Sequence, residues 1–126
     1  MVYKLILLTV LLCSCKLRSV HHTSQPAQLV GKWKMTQYYA DIGDGKGNWQ
    51  EADQQRTIEF RKDGVFIDSE HKNAGRYVLL DSTNIKVVPE DTTKAYNVKI
   101  IELNDTSLVL RPNCIEGCGE KYIRIK

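Results

Sequence analysis

From Arg56 onward the chain is cut into short β-favouring runs by clusters of turn formers, and no stretch carries a sustained helical period. Thr57-Ile58-Glu59-Phe60-Arg61 and Val65-Phe66-Ile67-Asp68 flank Lys62-Asp63-Gly64, a hairpin signal because Gly supplies the positive φ that a tight turn needs. Gly75–Leu80 follows and is closed by Asp81-Ser82-Thr83; Asn84–Val88 alternates until Pro89 stops it. Ala95–Leu103, Ser107–Arg111 and Lys121–Lys126 complete the series. Turns this short leave no room for crossover connections, so neighbours in sequence pair antiparallel as a meander.

One more strand precedes these. In Leu29–Tyr39, residues Gly31, Trp33, Met35, Gln37 and Tyr39 fall on one side at period two, with Lys32, Lys34, Thr36 and Tyr38 on the other. Ala40–Gln55, rich in Asp, Gly and Asn, reads as a long loop with Trp49 as its one aromatic residue. That gives eight strands, and closing the meander removes its exposed edges, so the expected fold is all-β: an eight-stranded antiparallel up-and-down barrel. The expected inward set is Trp33, Met35, Ile58, Phe60, Phe66, Tyr77, Leu79, Ile85, Val87, Tyr96, Val98, Ile100, Leu108 and Leu110. These side chains are bulky for a barrel of this size, which predicts a filled interior or a shallow pocket.

The order Gly31-x-Trp33, Ile58–Phe66 around Asp63-Gly64, Gly75-x-Tyr77, Leu108-Val109-Leu110 and Tyr122-x-Arg124 resembles the small lipocalin-like lipoproteins of bacteria across about residues 29–126. The resemblance implies a lipocalin-like barrel in which an Arg of the last strand packs across the Trp of Gly-x-Trp. Arg124 is the match for that barrel closure with Trp33, and Arg111 is a weaker one. Two other readings of Arg124 stay open: a solvent-facing side chain, or an inward one pairing with a ligand carboxylate. If a small ligand enters the mouth, the candidate contacts are Trp49, Phe60, Phe66, Tyr77, Tyr96 and Tyr122.

The N-terminus has its own logic. Lys4 precedes the apolar run Leu5–Leu12, which is far shorter than the roughly 20 residues that span a bilayer. Leu12-Cys13-Ser14-Cys15 then resembles a bacterial lipobox. This divides the chain into a signal peptide over 1–14, a flexible tether over 15–26 starting at a lipidated Cys15, and a barrel domain over 27–126. With Lys16 after Cys15 and no acidic cluster following, the expected location is the outer membrane, lipid-anchored on the periplasmic side. The membrane, through that lipid, is then the first partner.

Of 126 residues, 18 are basic and 15 acidic, spread without a block of either sign, which argues against nucleic acid as a partner. Cys114-Ile115-Glu116-Gly117-Cys118 lies between the last two strands; in an exported protein a structural disulfide between Cys114 and Cys118 fits better than a redox or metal pair. His21-His22 lacks a third ligand and a rigid frame, and the 40–55 loop lacks the calcium-loop spacing, so no metal is expected. Nor is a cofactor. His71 is the sole histidine of the domain, and no nucleophile or phosphate-loop motif accompanies it, so the chain reads as a non-enzyme.

Two functions compete. One is a lipid-anchored envelope protein binding a small apolar or amphipathic ligand. The other is a protein-interaction module with a filled barrel, an enzyme inhibitor or accessory subunit acting on an envelope protein. The lipobox gives the first testable expectation: Cys15→Ala abolishes incorporation of labelled fatty acid in cells. Unchanged incorporation refutes the lipobox.

Overall fold

The structure, a computed structural model, describes residues 27–70, 73–91, 94–115 and 117–126. The proposed signal peptide, the tether with Cys15 and His21-His22, and His71 lie outside the described residues.

Among the described residues nine strands form one antiparallel sheet: β1 Gly31–Ala40, β2 Asn48–Glu51, β3 Thr57–Phe60, β4 Val65–Asp68, β5 Asn73–Leu79, β6 Asn84–Pro89, β7 Tyr96–Leu103, β8 Ser107–Pro112 and β9 Cys118–Ile125. From β3 to β9 each strand pairs with the next, and β9 returns to β1, so eight strands close a barrel as the turn rhythm predicts. At Lys62-Asp63-Gly64 the chain turns with Gly64 at φ 84°, the conformation for which that position needs glycine. In the β5–β6 turn Asp81 accepts hydrogen bonds from the Thr83 and Asn84 backbone N–H groups and from both the Thr83 and Asn84 side chains. These bonds, that of the Thr83 backbone foremost, hold its carboxyl below the usual range.

The ninth strand corrects the reading of 40–55 as loop throughout. β1 is long enough to serve two partners along one edge: Gly31–Lys34 pair with β3, while Gln37–Ala40 pair with β2. Asn48–Glu51 therefore folds back as a short hairpin, with the chain tied again to β1 beyond it by Ala52 N–H to Thr36 O at 2.9 Å. Four residues among so many turn formers give little pattern from which to read a strand.

A second correction concerns parity. The β1–β9 register shifts between Met35 and Gln37, and a bulge of this kind reverses which residues face inward. Trp33 and Met35 face the interior as expected, but beyond the bulge Tyr38 shares a pocket with Met35, while Tyr39 meets Trp49 on the outer side.

The expected inward set is buried except for Met35, which is partly covered, and Tyr96, which stands at a rim; Leu29 and Tyr122 join the core. Phe60 anchors one aromatic group, with its ring centroid 5.1 Å from that of Phe66 and 5.0 Å from that of Tyr77. Tyr77 is itself buried, and its hydroxyl donates to Arg61 O at 2.7 Å. Burial first, then the charge of Asp63, pushes its phenol up to about 12.

At the end where β1 begins, the barrel is plugged. Trp33 is fully buried and donates from Nε1 to Leu29 O at 3.0 Å. The Arg124 guanidinium lies 4.2 Å from the centre of the Trp33 ring and donates to the carbonyls of Val30 at 2.8 Å, Asp105 at 2.7 Å and Gln28. Gly31 makes room for it: at φ 148° a Cβ there would fall 2.2 Å from Arg124 Nη1. Removing the guanidinium loses the stacking and three charge-assisted hydrogen bonds, so Arg124→Met lowers unfolding free energy by about 2 kcal/mol. Gly31→Ala, measured by the same urea unfolding, costs less in the Arg124→Met background than alone. A loss under about 0.5 kcal/mol for Arg124→Met, the range of an ordinary surface site, shows that the plug is not held this way.

Candidate functional site

The opposite end of the barrel is open. Here β3, β7 and β9 begin and β4 and β8 end, and between them lies a cavity of about 240 Å³. Its deeper walls are apolar, from Ile58, Phe60, Phe66, Val98 and Leu110; Arg56, Glu70, Tyr96, Pro112, Glu120 and Tyr122 complete the lining.

Arg56, just before β3, organises the polar side. Its guanidinium meets Asp68 at 2.7 Å, Glu120 at 2.8 Å and Glu70 at 3.1 Å. Nε and Nη2 both donate to the Asp68 carboxylate, the bidentate geometry that favours Arg over Lys. Asp68 is 3% exposed and also accepts from the Glu70 backbone N–H. Glu120 accepts on its other oxygen from the Tyr122 hydroxyl at 2.6 Å. The alternation of β4 and β9 builds this cluster: Asp68 follows Phe66 on the inward face, and Glu120 precedes Tyr122 on it.

The electrostatics follow from burial beside negative charge. For Arg56, desolvation pulls the pKa down, but the Asp68 hydrogen bond and the surrounding negative charges outweigh it, and the group is held above its ordinary value. Burial, reinforced by Glu120, raises Tyr122 well above an ordinary tyrosine. Tyr96 is raised too, again chiefly by burial.

Of the candidate ligand contacts, Phe60, Phe66, Tyr96 and Tyr122 line this cavity. Tyr77 does not: it packs on Phe60 toward the plugged end. Trp49 is carried elsewhere by β2, which pairs it with Tyr39 on the outer surface, where its ring lies against Gly119 and under Lys121 Nζ at 4.1 Å. The bulge that reverses the parity of β1 is the reason. Cys114 and Cys118 are disulfide-bonded and close the loop between β8 and β9. With Tyr39, Trp49, Ile101, Val109, Arg111 and Ile115 they border an outer groove of about 510 Å³, so Arg111 stands far from Trp33 in role as well as in place.

Arg56, Asp68 and Glu120 were not singled out from the sequence. A signal existed: Asp68 is an acid at an inward position, and extending the last strand back to Cys118 puts Glu120 on the face of Tyr122. Among the described residues no three His, Cys, Asp or Glu side chains are disposed to hold a metal ion. The three carboxylates at the mouth close on a guanidinium instead.

The chain matches the family model of the lipocalin-like domain over residues 29–110 and belongs to this family. A crystal structure of a lipocalin-like protein from Bacteroides uniformis ATCC 8492 is 21% identical, aligned over 78% of this chain and 99% of that one, with a TM-score of 0.48. No curated protein matches.

The raised tyrosines make alkaline pH informative. A phenol whose pKa is higher in the folded than in the unfolded chain adds stability that is complete below about pH 10 and is lost as pH rises toward the folded value. Unfolding free energy therefore falls above about pH 10, and the fall is shallower in Tyr122→Phe. Equal slopes in the two proteins exclude a raised Tyr122.

Proposed function

We propose that this is a non-catalytic, lipid-anchored envelope lipoprotein that holds a small apolar or amphipathic molecule in the mouth of its barrel. The observation that carries the reading is the cavity of about 240 Å³ with an apolar floor and a few convergent polar groups, the usual make-up of a small-molecule site. Its size suits a ligand smaller than a typical drug. The leader supports the anchor: Lys4, the Leu5–Leu12 run and Cys13-Ser14-Cys15 favour lipidation at Cys15 and residence on the periplasmic side of the outer membrane.

A second reading, a protein-interaction module, is favoured by the outer groove, where Ile115 is fully exposed beside partly exposed Trp49 and Ile101. A neutral aromatic probe such as 2-naphthol separates the two. Binding in the mouth shifts the methyl NMR signals of Ile58, Val98 and Leu110, and Val98→Phe, which fills the floor, abolishes those shifts while the protein remains folded by circular dichroism. Shifts confined to Ile101, Val109 and Ile115, or none at all, overturn the mouth as the ligand site.

A further inference from the structure

We infer that the mouth selects a small organic cation, an amphipathic amine, over the carboxylic acids that a basic residue in a barrel interior would suggest. The inference rests on the reading that the cavity binds a ligand and adds the ligand's charge. Arg56 is the one cation among the described residues lining the cavity, and it is met on three sides: Asp68 at 2.7 Å, Glu120 at 2.8 Å and Glu70 at 3.1 Å. A ligand carboxylate arriving here would be a fourth anion around one guanidinium. It would have to displace a carboxylate already bonded or accept repulsion from all of them.

An ammonium meets the opposite situation. Among the described residues of the mouth three carboxylates meet one guanidinium, so negative charge there is in excess, and the partly screened setting of a cleft makes that excess felt more strongly than on an open surface. Glu70 is the accessible member, its side chain 44% exposed against 4% for Asp68 and 19% for Glu120. It can turn an oxygen toward an incoming donor while Asp68 and Glu120 keep Arg56 in place. Tyr96, at 39% exposure, adds aromatic surface at the same rim, and an aromatic face attracts a cation. Below lie Ile58, Phe66, Val98 and Leu110 to cover a short apolar body.

The test compares three probes of like size on the full-length protein in an uncharged detergent at low salt: 2-phenylethylammonium, 2-phenylethanol and 3-phenylpropanoate, by calorimetry or NMR titration. The ammonium is expected to bind at least about tenfold more tightly than the alcohol, with the carboxylate weakest. Glu70→Gln keeps an oxygen for Arg56 but removes the charge, and narrows the ammonium-to-alcohol ratio at least threefold; raising the salt concentration narrows it too. Carboxylate binding as tight as that of the ammonium, or equal affinity for alcohol and ammonium, overturns the selectivity while leaving the mouth as a ligand site. If none of the three binds, the ligand-binding reading itself falls, and the selectivity with it.

Discussion

The barrel depends on one contact between its first and last strands. Arg124 of β9 lies across the ring of Trp33 of β1 and bonds to the carbonyls of Gln28 and Val30, which introduce β1, and of Asp105 in the β7–β8 turn. A sheet of short strands has two edges, and it becomes a barrel only if those edges meet in the right register. The guanidinium holds that register through a planar group that stacks and donates in several directions at once, which a lysine could not reproduce. Gly31 is part of the same device, since any Cβ there would occupy the space of the guanidinium.

The opposite end uses charge differently. Arg56 and its three carboxylates take up space that apolar side chains fill elsewhere in the barrel. Burying such a group is seldom the most stabilising choice, because desolvation offsets much of the attraction. What the cluster does supply is a fixed arrangement of polar atoms over an apolar floor, with the geometry set by a bidentate pair and by the Tyr122 hydroxyl. The chain thus has a guanidinium at each end of the barrel. Arg124 is bound by neutral carbonyls and an aromatic ring, Arg56 by carboxylates.

Most of the barrel could be read from residue order because period-two alternation and turn chemistry are local properties. Ile58 and Phe60, Ile85 and Val87, and Leu108 and Leu110 face the core as their spacing demands, and Asp63-Gly64 turns where it should. Gly31, Trp33 and Arg124 were legible as a group through their resemblance to a family motif. What escaped were features set by distant pairing. Whether Asn48–Glu51 becomes a strand depends on an unoccupied stretch of β1 edge, and the bulge after Met35 depends on how β1 and β9 fit together. The outward position of Trp49 follows from both. The mouth cluster was hidden in part for the same reason: the β3–β4 hairpin sets Asp68 beside Arg56, but only barrel closure adds Glu120, 2.8 Å from the guanidinium, and each is ordinary as a single residue.

The described chain enters the barrel at its plugged end, where Gln28, Leu29 and Val30 are tied to Arg124 and Trp33. The cavity opens at the other end, among the starts of β3, β7 and β9. If the proposed lipid anchor precedes Ala27, the attachment therefore reaches the barrel at its closed pole, opposite the opening.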